Sequence, residues 1–102
     1  MKKVINSKMY NTETAKAVGN YSNTPYHSDF NYCSETLYRK RTGEFFLYGE
    51  GGPNSQYCQV IGNNEWGYGS DIIPISEEQA KQWAEAHLSG DEYEAIFGPI
   101  EE

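Results

Sequence analysis

The side chains best suited to metal chemistry fall in the first half of the chain: His27, Asp29, Glu35 and Glu44, with Arg39 and Lys40 among them. Two or three carboxylates holding a divalent ion beside an in-line water would make a metal-dependent nuclease acting on RNA. Their spacing does not specify that centre, and a formal net charge of −7 leaves little basic surface to hold a nucleic acid. Nucleophilic chemistry has less to work with, since there is no G-x-S-x-G and no Cys–His neighbourhood. Cys33 and Cys58 form no C-x-x-C, and His27 and His87 stand alone, so zinc-ligand spacing is missing. Gly49-Glu50-Gly51-Gly52 is glycine-rich, but it lacks the Gly-Lys-Ser/Thr ending of a phosphate loop, and its glutamate would repel a phosphate. It reads as a sharp turn at a strand end that sets Glu50 up for a partner contact. These residues assign no catalytic residue, no metal and no cofactor.

Charge is the stronger signal. Residues 1–43 carry seven bases against three acids, a net of +4, while residues 44–102 carry Lys81 alone against twelve acids, a net of −11. A half so acidic steers a basic partner and repels free nucleic acid. An acidic face can also simply keep a domain soluble. The asymmetry favours binding over mere solubility.

The elements that must position these groups are legible in part. At 102 residues the chain reads as one domain, 1–102. An aromatic content of 15%, nine tyrosines included, argues against disorder and for a sheet with a half-wet face. Val4-Ile5 and Met9-Tyr10 flank a polar turn and predict a short hairpin. Asn11-Thr12-Glu13 predicts a brief helix through Val18, stopped by Gly19-Asn20. Residues 20–29 form the longest loop, a candidate contact segment. Residues 32–40 and 44–50 predict a β-hairpin turning at Arg41-Thr42-Gly43. Phe45 and Leu47 on one face, with Phe46 and Tyr48 on the other, make the second strand central. Residues 56–61 predict another strand, and 71–75 a last short one whose Pro74 suits an edge.

The final third is helical. Ser76 and Gln79 form a capping box, and Ala80, Trp83, Ala84, His87 and Leu88 make one apolar stripe. On that stripe His87 is a packing histidine. Glu78, Gln82 and Glu85 then face water, and Glu77 pairs with Lys81 at i, i+4. Asp91 caps a second short helix, whose Tyr93, Ile96 and Phe97 point inward, and Asp91, Glu92 and Glu94 extend the acidic surface. The N-terminus has no apolar core of a signal, and no apolar run approaches the ~20 residues of a membrane span. The cysteines therefore read as reduced packing residues of a cytoplasmic protein.

Three segments carry a family resemblance. They are Val4-Ile5-Asn6-Ser7-Lys8-Met9-Tyr10-Asn11-Thr12-Glu13-Thr14-Ala15, the hairpin Glu35-Thr36-Leu37-Tyr38-Arg39-Lys40-Arg41-Thr42-Gly43-Glu44-Phe45-Phe46-Leu47-Tyr48-Gly49-Glu50-Gly51-Gly52, and Ile72-Ile73-Pro74-Ile75-Ser76-Glu77-Glu78-Gln79-Ala80-Lys81-Gln82-Trp83-Ala84-Glu85. In these the chain resembles small acidic proteins encoded by plasmids, phages and other mobile elements of Gram-positive bacteria. Some of those look like type II-A anti-CRISPR proteins, inhibitors of Cas9. The resemblance implies a bacterial host cell and a Cas9 partner, and it transfers no catalytic motif.

The expected fold is α+β: a twisted antiparallel β-sheet of about four to six strands, a short N-terminal helix, and C-terminal helices packed on one face. The expected function is non-enzymatic inhibition of Cas9, by interfering with guide-RNA loading or nucleic-acid binding. Glu50, Glu78, Glu85, Asp91, Glu92 and Glu94 are the partner-binding residues, with no direct nucleic-acid binding and no membrane. The alternatives are the metal-dependent nuclease acting on guide RNA, and a mobile-element accessory protein with another host partner.

Overall fold

A computed structural model describes residues 1–63 and 65–102. The chain opens with β1 (Lys2–Ile5) and β2 (Lys8–Asn11), an antiparallel hairpin in which Ile5 faces Lys8. Its two-residue turn places Asn6 at φ 51° and Ser7 at φ 65°. That is the left-handed turn pair whose twist suits a two-residue hairpin.

The predicted N-terminal helix does not form. Residues 12–15 make one turn, held by Ala15 N–H donating to the Asn11 carbonyl and by the Asn11 side chain accepting from Glu13 N–H. The chain then extends as β3 (Lys16–Ser22). A single turn gains little against the cost of helix nucleation. Extension gives β3 a full ladder with β4 (Cys33–Arg39), from Lys16 opposite Arg39 to Ser22 opposite Ser34, with a bulge between Ala17 and Gly19. Gly19 is not a helix stop. It faces Leu37, and a Cβ there would sit 2.8 Å from Leu88 Cδ1.

β4 and β5 (Phe45–Gly51) form the predicted hairpin, in register from Arg39–Phe45 to Cys33–Gly51. Gly43, at φ 94°, supplies the left-handed residue of its turn. β8 (Gly69–Ile75) pairs antiparallel with β5 and completes a four-stranded twisted sheet of order β3-β4-β5-β8. Pro74 lies on that edge strand, as its missing N–H requires. The predicted strand over 56–61 is shifted. Residues 56–57 are turn, and β6 (Gln59–Gly62) pairs with β7 (Glu65–Gly67), in a two-stranded ribbon outside the main sheet.

α1 (Glu77–His87) starts at the predicted Ser76–Gln79 capping box. α2 (Gly90–Phe97) starts two residues earlier than the sequence suggested: Ser89, not Asp91, is the cap, and Glu92 closes a second box. Both helices cover one face of the sheet. Leu37, Phe45 and Leu47 pack there on Ala80, Trp83, Ala84 and Ile96, with Leu88 at the margin. On the other face Phe46 and Ile72 meet Tyr10 of the hairpin. Phe46 and Leu37 are wholly buried, one on each side, each adding ~1.5–3 kcal/mol of apolar burial. The two-faced pattern of β5 thus arises from being covered by helices on one side and a hairpin on the other.

Candidate functional site

Backbone alternation divides the expected partner-binding residues between two surfaces. Glu78, Glu85, Asp91, Glu92 and Glu94 are all exposed on the helical layer. Glu50 follows Phe46 and Tyr48 on the opposite face of β5, the hairpin side.

The helical acids are left without basic partners. The ion pairs found among the described residues are Lys3–Asp71 at 2.6 Å, Lys8–Glu44 at 3.0 Å and Lys40–Glu44 at 3.8 Å. They engage acids of the sheet and its turn, not of the helices. Each Glu44 and Asp71 carboxyl is accordingly held below its ordinary range, first of all by hydrogen bonding to the lysine. Arg39 donates to the Ile96 carbonyl in the last turn of α2, and Lys40 Nζ sits 3.7 Å from the Tyr10 ring centre. The expected Glu77–Lys81 pair does not form; Lys81 Nζ lies 5.8 Å from the Phe97 ring centre instead. Residues 76–102 therefore present eight acids against Lys81. Glu92 differs from the others. Its carboxylate accepts from Ser89 N–H, which holds its pKa low, so it serves the cap as well as the surface.

The metal-ligand set read from the sequence is dispersed. Glu44 is bound to lysines at one end of β5, and Glu35 is buried opposite Gly49. Among the described residues no three His, Cys, Asp or Glu side chains are placed to hold a metal ion. His27 stacks on Tyr32, with ring centres 4.6 Å apart.

Glu35 proves to be a structural carboxylate, 8% exposed and satisfied by neutral donors. Trp83 Nε1–H donates to Oε1 at 3.1 Å, and Gln56 Nε2 donates to Oε2 at 3.0 Å. The Tyr57 hydroxyl also donates to Oε2. Burial, then the Glu35 carboxylate, push the Tyr57 phenol well above its ordinary pKa. Burial likewise raises the Cys33 thiol. The Tyr57 ring lies over Gly49, where a Cβ would overlap it. The glycines of Gly49-Glu50-Gly51-Gly52 are thus needed for close approach: Ser55 crowds Gly51, and the Phe30 carbonyl crowds Gly52. The strand runs through Gly51, so the turn begins later than the motif suggested.

Two further features concern exposed apolar residues. The loop read from the sequence as 20–29 starts later, at 23, because β3 continues through Ser22, and it runs to the start of β4 at Cys33. The β6–β7 ribbon exposes Val60, Ile61 and Trp66, and the 23–32 loop exposes Tyr26 and Phe30. Beside them is an open cleft of about 310 Å³ lined by His27, Tyr32, Glu50, Gly51, Tyr68 and Ser70, among others. The run 56–61 was readable as a strand; that its Val60 and Ile61 would be left exposed was not. Comparison with protein-family models, curated proteins and solved structures finds no match to this chain. No helix among the described residues is long and apolar enough to cross a membrane.

Proposed function

We propose that this protein is a non-enzymatic inhibitor of a type II-A Cas9, occupying the basic surface that receives guide RNA or heteroduplex and acting in the cytoplasm of a bacterial host. The observation that carries the reading is the unpaired acidity of the two helices. Lys3, Lys8, Lys40 and Arg39 are engaged by Asp71, Glu44 and the end of α2, while Glu78, Glu85, Asp91 and Glu94 are exposed and belong to none of the ion pairs among the described residues. An acidic face of this kind complements a channel built to hold a nucleic-acid backbone. The hairpin resemblance to mobile-element proteins supplies the choice of Cas9 among basic partners.

Glu85→Lys with Glu94→Lys is the cleanest perturbation, because both lie outside the first turn of their helix, where a lysine would oppose the dipole. Guide-RNA loading by Cas9 is followed with and without the inhibitor, and the RNA is run on a denaturing gel. The parent should block loading and leave the RNA intact, and the double variant should associate about tenfold more slowly at low salt. Reversal of Lys2 and Lys16, exposed and outside the ion pairs, is the control and should not slow association. A folded double variant that inhibits as well as the parent refutes the reading. Shortened RNA would transfer the function to the nuclease alternative.

A further inference from the structure

The cleft between the 23–32 loop and the start of β8 has a chemistry of its own. Its walls include three aromatic side chains, His27, Tyr32 and Tyr68, and its acid is Glu50. The loop wall is hydrogen-bonded to its neighbours. Gly52 N–H donates to the Tyr32 carbonyl at 2.8 Å and Asn54 N–H to the Phe30 carbonyl at 2.9 Å, tying the loop to the turn after β5. Tyr68 OH reaches the Asp29 carbonyl at 3.4 Å, joining the wall on the β8 side to the loop.

Glu50 is under-coordinated for a carboxylate so placed. It accepts from Tyr32 OH at 3.3 Å and from Tyr48 OH at 3.4 Å, both long for an O–H donor. It belongs to none of the ion pairs among the described residues. Each oxygen therefore keeps capacity for a short, charge-assisted hydrogen bond. Aromatic faces around a carboxylate attract a cation twice, by the ring quadrupole and by the charge. They disfavour a phosphate for the same reason.

We propose that this cleft is a receptor for one arginine side chain presented by a protein partner. A guanidinium is planar and weakly hydrated, so it stacks on aromatic rings while its fork meets a carboxylate in two parallel bonds. A volume of about 310 Å³, at the small end of ligand pockets, has room for a single side chain. The proposal deepens the effector-binding reading and rests on it only for the protein that supplies the arginine. It also gives the set-apart Glu50 a role distinct from that of the helical acids: the helices steer, and the cleft fixes register.

The test uses the full chain and N-acetyl-arginine-methylamide, followed by amide chemical shifts, with the neutral isostere N-acetyl-citrulline-methylamide as control. The arginine compound should shift residues 27, 32, 50 and 68–70 saturably, and the citrulline compound should not. Glu50→Gln keeps an acceptor for one tyrosine and can donate its amide N–H to the hydroxyl oxygen of the other, and it should weaken binding about tenfold, the loss of one charge-assisted pair. Tyr68→Ala, at a residue 46% exposed, should weaken it severalfold without unfolding the chain, which keeps the test valid if Glu50→Gln folds poorly. Equal binding of the two compounds, no saturable shift at the cleft, or unchanged affinity in both variants would overturn the proposal. None of these outcomes touches the helical charge-reversal assay, so the two readings fail separately.

Discussion

Trp83 joins the helices to the sheet in two ways at once, and its variants separate them. Its ring is 9% exposed within the core, and its indole N–H donates to a carboxylate that is itself buried. Trp83→Ala removes both contributions: ~3–5 kcal/mol for the cavity and ~1–3 kcal/mol for the orphaned Glu35 oxygen. A domain of this size has only ~5–15 kcal/mol in total, so that variant should be marginal or unfolded. Trp83→Phe is the informative change, since it keeps most of the ring volume and deletes the donor. It should cost ~1–3 kcal/mol. With a urea m-value of ~1.5 kcal/mol/M, the midpoint should fall by roughly 0.7–2 M at unchanged m. Glu35→Ala and the double variant complete a cycle, in which the pair should show a coupling of at least ~0.5 kcal/mol. Urea unfolding followed by far-UV circular dichroism measures all four proteins without relying on Trp83 fluorescence. A Trp83→Phe variant as stable as the parent, or strict additivity in the cycle, would refute the reasoning: Glu35 would then be held by Gln56 and Tyr57 alone.

The raised Tyr57 pKa carries a signed pH dependence. Above about pH 10 an unfolded phenol has lost its proton while the folded one keeps it, so the unfolded state binds fewer protons and stability falls as pH rises. Chemical unfolding from about pH 9 to 11 should show that fall, and Tyr57→Phe should flatten it; an unchanged slope would remove the claim. Two glycine substitutions should move stability in opposite directions in the same unfolding assay. Gly49→Ala should cost upwards of ~1–3 kcal/mol because its Cβ meets the Tyr57 ring, whereas Gly90→Ala, with open space at the first position of α2, should stabilise by ~0.4–1 kcal/mol.

What could be read from the chain was local and periodic. The Ser76–Gln79 box, the Ala80–Trp83–Ala84 stripe and the glycine turn of the β4–β5 hairpin depend on neighbours within four residues, and each is where its pattern placed it. The two-faced run Phe45–Tyr48 announced a central strand for the same reason. The brief helix expected after Asn11 failed because its caps were real but propagation was not. One turn formed, and the ladder with β4, visible only once β4 was in place, took the rest. The second helix began at Ser89 because two overlapping caps, Ser89 and Asp91, were both available, each with a glutamate three residues on, and the fold uses the Ser89–Glu92 box.

The candidate site was legible as a charge count and not as a surface. Sequence alone determined that residues 44–102 would be acidic, that Glu78 and Glu85 would face water, and that Trp83 would face inward, because these follow from composition and helical period. Tertiary structure alone decided which acids are neutralised, since Lys3 and Asp71 lie 68 positions apart and meet only through the fold. It decided that Glu35 would be a buried anchor, as its three donors come from residues 56, 57 and 83. It also put Glu50 on the far side of the sheet from the helical acids, in an aromatic cleft assembled from three separate stretches of chain. Charge adds along a sequence, but a carboxylate's partners are set by distance in space, and only folding brings those residues within reach.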